Sequence, residues 1–131
     1  MVSKKSRCIV LGSGQFSRFI INVIEETDDT VCEGYVTKDG NKSPEIIRYE
    51  CLGNDSFLFD NRETYDSVFP AIGDLIKRRE IIENLINNDV KISSIIHPKS
   101  YQSSTVSISN SSLMGGSFLS NNVTLGNYSV I

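Results

Sequence analysis

The fold of this chain is decided near its start, by the stretch Arg7-Cys8-Ile9-Val10-Leu11-Gly12-Ser13-Gly14-Gln15. The first five of these residues form a nearly continuous apolar run, which is typical of a strand covered on both faces in a parallel sheet. After the glycine turn, apolar residues recur at three- and four-residue steps and predict an amphipathic helix that ends near Glu26. A second apolar run at residues 31–36 completes a predicted βαβ unit.

The same design recurs further along the chain. Residues 65–74 predict a strand that ends in a second glycine turn, although Pro70 removes a ladder donor there. A helix is predicted from Asp74, with an apolar stripe made of Leu75, Ile82, Leu85 and Ile86. Residues 91–96 predict the last strand, whereas residues 40–64 show no clear periodicity. The fold class is therefore α/β, with a small Rossmann-like parallel sheet domain over residues 1–98.

A different architecture is predicted from residue 99 to residue 131. Serine and asparagine become frequent there, and charged residues almost disappear. Apolar residues recur at intervals of about six, as Val106/Ile108, Leu113/Met114, Phe118/Leu119, Val123/Leu125 and Val130/Ile131. This spacing favours a β-solenoid, in which one aliphatic side chain from each hexad points into the core. The alternative is a flexible serine-rich tail.

Composition and charge exclude several classes of protein. The chain has 131 residues, enough for one complete domain, and a net charge of −3 gives no reason to expect nucleic-acid binding. No apolar run approaches the roughly 20 residues that span a bilayer, and the run from Cys8 to Leu11 is too short for a signal peptide. We therefore expect a cytoplasmic protein without a membrane segment. The three cysteines lack metal-ligand spacing and are interpreted as buried free thiols.

The two glycine turns carry the candidate binding residues. Gly12, Ser13 and Gly14 precede a helix whose free N–H groups suit a phosphate, although the third glycine of a dinucleotide fingerprint is absent. The alternative is a tight strand-to-helix turn without a ligand. Gly73 and Asp74 lie at the same predicted sheet edge, where open α/β folds bind ligands.

Two further side chains are candidates at this edge. Arg78, one turn into the second helix, has the reach to contact a phosphate, and Asp39 follows the second strand, where ribose or base contacts occur. For both, the alternative is an ordinary solvated surface charge. His97, the only histidine, precedes a proline at the junction of the two architectures, and we expect a hydrogen-bonded packing role for it. The sequence predicts no catalytic residue and no metal site within the chain.

Three stretches together resemble a family of bacterial sugar acetyltransferases that includes the sialic acid O-acetyltransferases and the UDP-4-amino-sugar N-acetyltransferases. They are Ile9 to Gly14, then Ala71-Ile72-Gly73-Asp74 with Arg78 following, and Ile96-His97-Pro98 leading into the hexad-like run from Leu113 to Asn127. The resemblance implies a Rossmann-like domain that holds a nucleotide-linked sugar, here through Gly12, Ser13, Gly14, Asp39, Gly73, Asp74 and Arg78. It also implies a left-handed parallel β-helix that forms a homotrimer and binds acetyl-CoA between neighbouring subunits.

The resemblance further implies a role in surface-glycan biosynthesis, with a catalytic histidine in the coil that follows Ile131. Residues 1–131 would thus be inactive and hold little more than the first coil, which we expect to be frayed unless another copy holds it. The chain departs from the family pattern at Gln15-Phe16, where Gly-His is common, and at Asp74-Leu75, where two asparagines are common. The alternative function is a stand-alone Rossmann-type nucleotide- or CoA-sensing module with an oligomerising tail, and a nicotinamide-dependent reductase is a weaker third.

Overall fold

The computed structural model describes residues 4–131, and its centre is a sheet of three parallel strands in the order β2-β1-β3. The strands are β1 (Ser6–Leu11), β2 (Thr30–Val36) and β3 (Ser67–Pro70). The first two agree with the predicted strands, whereas the strand expected over residues 65–74 has only four residues. Single parallel bridges extend the sheet at both edges, where Cys51 lies beside Tyr35 and Ile92 lies beside Val68.

The two long helices are α1 (Gln15–Glu26) and α3 (Leu75–Asn87), and they cover opposite faces of the sheet. Alternate residues of β1 point to the two faces: Cys8 and Val10 join a core cluster with α1, and Ile9 and Leu11 join a second cluster with α3. The sheet is thus buried on both sides, which explains why β1 is continuously apolar from Cys8 to Leu11.

Helix α3 begins at its predicted position, but its predicted apolar stripe is wrong at both ends. Ile82 and Leu85 are buried, whereas the Leu75 side chain is 80% exposed and Ile86 is 41% exposed. Leu75 lies on the same face of the helix as Ile82, but about 10 Å nearer its N-terminus. The first turn of α3 therefore carries exposed apolar side chains, Leu75 and Ile76.

Residues 40–64, which lack periodicity, contain the short helix α2 (Ser56–Asp60) and a 3₁₀ turn (Arg62–Thr64). Leu58 from α2 is fully buried against the second cluster, and its carbonyl oxygen accepts a hydrogen bond from the Tyr65 hydroxyl. Helix α2 has only five residues, too few for a 3.6-residue period to be recognised in the sequence.

The predicted last strand, residues 91–96, is divided between two partners. Its first half pairs with β3, through hydrogen bonds from Val68 N to Lys91 O (2.9 Å) and from Ser93 N to Val68 O (2.8 Å). Its second half leaves the sheet, and Ile96 forms a parallel bridge with Leu113. Residues 91–96 therefore link the sheet to the C-terminal segment.

In the C-terminal segment the backbone returns beside itself at a regular interval. The strand β4 (Tyr101–Gln102) pairs in parallel with β5 (Phe118–Leu119), and parallel bridges join Ser107 to Thr124 and Ser112 to Val130. The paired residues are 17 or 18 positions apart. This interval corresponds to three of the predicted six-residue units, and we call residues 95–131 the coil segment.

The coil segment packs against the sheet domain. Of its predicted core aliphatics, Leu113, Met114 and Leu119 are buried, whereas the aromatic rings of Tyr101 and Phe118 stack on each other at the surface. Met114 and Val130 contact the cluster on the α1 side of the sheet. Tyr128 contacts the cluster on the α3 side, so the coil segment touches both cores.

Three findings concern the cysteines, metal sites and membrane-crossing helices. All three cysteines are free, with Cys8 and Cys32 buried and Cys51 half-buried, and burial raises the pKa of Cys8 to about 12 and that of Cys32 to about 11. Among residues 4–131, no group of three or more histidine, cysteine, aspartate or glutamate side chains is arranged to hold a metal ion. Within the same range, no helix has both the length and the apolar character needed to cross a membrane.

Candidate functional site

The candidate residues lie in three loops at the carboxyl edge of the sheet. Hydrogen bonds between main-chain atoms place these loops side by side, from Gly12 N to Val36 O (2.9 Å) and from Ala71 N to Leu11 O (2.8 Å). The turn after β1 therefore lies between the loop after β2 and the turn after β3. This is the arrangement in which parallel α/β sheets form ligand crevices.

Gly12 serves the packing of the protein itself. Its φ angle is +139°, and a Cβ atom built on it would lie 2.6 Å from Ser17 Oγ and 2.7 Å from the carbonyl oxygen of Ala71. The space beside Gly12 is therefore filled by α1 and by the end of β3. The sequence predicts Gly12 as part of a phosphate-binding turn, whereas the structure fills the space beside it with the protein's own atoms.

Gly14 and Gly73 differ from Gly12, because a Cβ atom on either would have no other atom within 4 Å. Gly14 is the N-cap residue of α1, and no side chain caps this helix. The first turn of α1 also contains no acidic residue. The N-terminus of α1 is therefore open, and the partial positive charge of its N–H groups is not offset by a carboxylate.

Neighbouring polar groups hold the glycine turn between β1 and α1 in place. The hydroxyl of Ser43 donates to the carbonyl oxygen of Ser13 (2.6 Å), and the backbone N–H of Ser43 donates to the hydroxyl of Tyr35 (2.9 Å). Ser43 is buried, as is Tyr35, which belongs to the core. The peptide that leads into Gly14 is thus anchored to the second strand before any ligand is present.

Ser17 was not identified from the sequence as part of this site. Its Oγ is the one buried side-chain oxygen or nitrogen in residues 4–131 without a hydrogen-bond partner, and it lies against Gly12. Leaving such a group unsatisfied costs about 1–3 kcal/mol. The signal was available in the sequence, because Ser17 lies three and four residues before Ile20 and Ile21 on the buried face of α1.

The N-terminus of α3 is closed by its own cap. The carboxylate of Asp74 accepts hydrogen bonds from the backbone N–H groups of Ile76 (3.0 Å) and Lys77 (3.1 Å). A phosphate at this position would have to displace the carboxylate or approach it against like charge. The two turns therefore resemble each other in sequence but differ in the charge that they present.

Arg78 faces the coil segment. Its Nε donates to the carbonyl oxygen of Pro70 (3.1 Å), and its Nη1 donates to the carbonyl oxygen of Tyr128 (2.9 Å). The guanidinium carbon lies 5.8 Å from the centre of the Phe69 ring. Burial lowers the pKa of Arg78, which is half-buried. Arg78 is thus held between the end of β3 and the coil segment.

Asp39 lies in the loop after β2 and is exposed. Its carboxylate accepts hydrogen bonds from the backbone N–H of Asn41 (3.0 Å) and the hydroxyl of Thr37 (3.2 Å). The first of these bonds lowers the pKa of Asp39 most, so the group is ionised at neutral pH. Asp39 therefore orders its own loop and still presents a negative charge at the sheet edge.

His97 is buried, and both of its ring nitrogens have partners. The Nδ1 atom accepts a hydrogen bond from the backbone N–H of Lys99 (2.9 Å), and the Nε2 atom contacts the carboxylate of Glu26 at the end of α1. Since Nδ1 accepts, the proton of the neutral ring lies on Nε2 and points to Glu26. In this arrangement His97 has no free nitrogen with which to act as a general base.

Comparison with known proteins places this geometry in a family. The PglD N-terminal domain family matches residues 7–85. No curated protein sequence matches the chain. A mutant of perosamine N-acetyltransferase from Caulobacter crescentus, solved with CoA and GDP-perosamine, has a TM-score of 0.80 and 20% identity over 95% of this chain and 59% of that chain.

Two more solved structures share the fold. PerB from Caulobacter crescentus, in complex with CoA and GDP-perosamine, has a TM-score of 0.78 and 20% identity over 95% of this chain and 58% of that one. The acetyltransferase domain of PglB from Neisseria gonorrhoeae, in complex with acetyl coenzyme A, has a TM-score of 0.69 and 19% identity over 98% of this chain and 65% of that one.

The chain thus spans about three-fifths of the length of the first two structures and about two-thirds of the third. At 19–20% identity these similarities show a shared fold. The family match covers β1 through most of α3, and with it both glycine turns. The resemblance to sugar acetyltransferases is confirmed, and the chain belongs to the PglD N-terminal domain family.

Proposed function

We propose that this chain is the N-terminal part of a cytoplasmic acetyltransferase that uses acetyl-CoA to modify a nucleotide-linked sugar in surface-glycan biosynthesis. Family membership supports this proposal, as does a fold shared with structures solved with CoA and GDP-perosamine or with acetyl coenzyme A. Residues 1–98 would bind the nucleotide-sugar. Residues 99–131 would begin a left-handed parallel β-helix, a proposal supported by the parallel pairing of residues 17 or 18 positions apart.

The open N-terminus of α1 is the observation that carries the nucleotide half of the proposal. A diphosphate placed at Gly14 would meet backbone N–H groups and a partial positive charge, and the first turn of α1 itself carries no carboxylate. Gly73, on the neighbouring turn, leaves room for the ligand, and Asp39 is the candidate for a ribose or base contact.

Among the other candidate residues, Gly12 and Ser13 would form the turn without contacting the phosphate through side chains. Asp74 would act as the cap of α3, since its carboxylate already accepts two backbone hydrogen bonds. The diphosphate would consequently lie nearer α1 than α3. The two glycine turns, which look alike in the sequence, would therefore have different roles.

In the proposed reaction, the amine or hydroxyl of the sugar attacks the thioester carbonyl carbon of acetyl-CoA. The new C–N or C–O bond forms as the C–S bond breaks, CoA leaves as the thiol, and a general base takes the proton of the acceptor. His97 is unsuited to this role, because both of its ring nitrogens are engaged. We therefore propose that the base, the acetyl-CoA site and the trimer contacts lie in a β-helix that continues beyond the residues described.

Calorimetry on residues 1–131 with UDP, dTDP, GDP and CMP tests the binding half. We expect weak binding of at least one of these nucleotides and no turnover of acetyl-CoA by this stretch alone. Absence of binding by all four would contradict the nucleotide assignment. Measurable acetyl-CoA turnover would contradict the proposal that the base lies elsewhere.

The substitution Gly14→Asp tests the site itself. An aspartate fits the extended N-cap conformation of Gly14 and would stabilise α1 by roughly a few tenths of a kcal/mol, but it would place a carboxylate where the phosphate is proposed to bind. We expect stability to rise slightly while nucleotide affinity falls at least about tenfold. Gly14→Asn is the matched control, because it supplies a neutral cap of the same size and should weaken binding less. Equal affinity of both variants and the parent chain would place the nucleotide elsewhere.

A further inference from the structure

Arg78 joins three parts of the molecule through one guanidinium group. Nε binds the last residue of β3 and Nη1 binds Tyr128 in the coil segment, while the ring of Phe69 lies beneath the group. Among the described residues, no carboxylate forms an ion pair with Arg78. The half-buried cation is thus held by two carbonyl dipoles and one aromatic face.

The carbonyl that Arg78 binds belongs to an ordered stretch of the coil segment. Tyr128 adopts a left-handed backbone conformation, with φ at +63°, and its side chain packs against the core on the α3 side. Two residues later, Val130 packs against the core on the α1 side and pairs with Ser112. Arg78 therefore binds the coil segment at the place where it crosses the end of the sheet.

Arg78 is also directly connected to the second glycine turn. Its backbone N–H donates to the carbonyl oxygen of Asp74 (2.8 Å), which is the N-cap residue of α3. Its side chain bonds Pro70, the residue before Ala71 and the start of that turn. The turn at 71–74 is thus enclosed between two hydrogen bonds made by the same arginine.

We infer that Arg78 is a positioning residue, which holds the coil segment in a fixed relation to the turn at 71–74 and does not itself bind the phosphate. Under the proposed function, on which this role depends, the arginine would set the distance between the nucleotide-sugar and the β-helix that receives acetyl-CoA. The pair formed by His97 and Glu26 fastens the coil segment independently on the α1 side. Loss of Arg78 should therefore loosen the coil segment without unfolding the sheet.

Hydrogen exchange followed by mass spectrometry on residues 1–131 tests this inference, with the variants Arg78→Met and Arg78→Lys. The methionine keeps the apolar stem and removes all donors, so amides of residues 123–131 should exchange at least about tenfold faster while those of β1 keep their protection. Lysine can reach one carbonyl at a time and should restore part of the protection. The control is Arg79→Met, which removes an exposed arginine paired with Glu83 on the same helix and should change neither region.

Nucleotide affinity of the same variants separates this role from that of a phosphate ligand. We expect Arg78→Met to bind the nucleotide found by calorimetry within about threefold of the parent chain. A tenfold or greater loss of affinity with unchanged exchange at residues 123–131 would overturn the inference, as would accelerated exchange of β1 to the same degree as the coil segment. If the parent chain binds no nucleotide, the proposed function fails, but the exchange comparison still decides whether Arg78 holds the coil segment.

Discussion

At the scale of single residues, the three glycines of the two turns have different physical roles. Gly12 has a left-handed φ angle and a filled space beside it, whereas Gly14 and Gly73 face open space. A side chain at Gly12 would therefore be both strained and overpacked. At Gly14 a side chain would meet no neighbour, so it would cause neither strain nor overpacking.

The first prediction concerns Gly12 and Gly14. We expect Gly12→Ala to lower the free energy of unfolding by about 2 kcal/mol or more, because the new methyl group would collide with Ser17 Oγ and the Ala71 carbonyl oxygen. Gly14→Ala should lower it by less than about 1 kcal/mol, because alanine is a poorer N-cap than glycine but meets no other atom there. Urea titration of the two variants checks this, and equal losses would show that the turn relaxes around Gly12.

At the scale of secondary-structure elements, the two helices that follow the glycine turns begin in opposite ways. Helix α3 is capped by Asp74, and helix α1 has no side-chain cap. A capped N-terminus stabilises its helix, while an uncapped one leaves donors for another partner. The cap of α3 therefore stabilises the fold, whereas the open N-terminus of α1 is part of the proposed binding site.

The second prediction concerns the cap of α3. Asp74→Ala should lower the free energy of unfolding by about 1 kcal/mol, since the N–H groups of Ile76 and Lys77 would lose their acceptor. Asp74→Asn keeps an acceptor oxygen and should recover most of the loss. Thermal unfolding of both variants measures the difference. An Asp74→Ala variant as stable as the parent chain would mean that the cap contributes nothing.

The third prediction concerns how acid affects the contact between Arg7 in β1 and Asp66, which lies just before β3. Hydrogen bonds from the Arg7 guanidinium and backbone N–H hold the pKa of Asp66 below its usual value. A lowered pKa in the folded state means that this pair stabilises the fold above the pKa of an unfolded aspartate, about 3.9, and that the contribution disappears as the pH falls through the lower folded value.

Asp66→Asn can still accept from the Arg7 N–H but cannot titrate. We therefore expect its urea midpoint to fall less than that of the parent chain between pH 5.5 and pH 3. The comparison is made at constant ionic strength, because the pair is partly exposed and screened by salt. Parallel pH curves for the two proteins would show that Asp66 does not contribute to the acid response.

At the scale of the whole molecule, the sheet domain and the coil segment share their hydrophobic cores. Met114 and Val130 pack in one cluster with residues of α1 and β1, and Tyr128 packs against the cluster that contains residues of α3. The proposed domain boundary near residue 98 is thus a change of architecture within a packed structure. A frayed tail, as expected for an unfinished coil, would leave Met114 more exposed than the 9% that the structure shows.

The fourth prediction tests this shared core. Met114→Ala should lower the free energy of unfolding by about 2 kcal/mol, the low end of the range for a buried methionine, because Met114 lies at the margin of the cluster. Phe118→Ala, in the same segment but 69% exposed, should lose only its stacking on Tyr101, about 1 kcal/mol or less. Chemical unfolding monitored at the sheet domain provides the measurement, and equal effects would mean that the coil segment folds apart from the sheet.

Much of the fold followed from local patterns in the sequence. The apolar runs at residues 7–11 and 31–36, the periodicity of residues 16–24 and the glycine turns predicted β1, β2 and α1, because burial on two faces or on one stripe requires those patterns. The six-residue spacing after residue 99 likewise predicted a repeating structure. The elements between residues 40 and 64 were missed because they are too short to show a period.

The roles of individual side chains depended on contacts far apart in the chain. Arg78 acts on Tyr128, 50 residues away, and Gly12 is required by Ala71, which no local pattern connects to it. Local patterns in the sequence were enough to predict β1, β2, α1 and the start of α3, since those follow from interactions between near neighbours. The tertiary structure was needed to show which turn stays open to an anion and which arginine holds the coil segment. Both features depend on the packing of elements that come together only when the chain is folded.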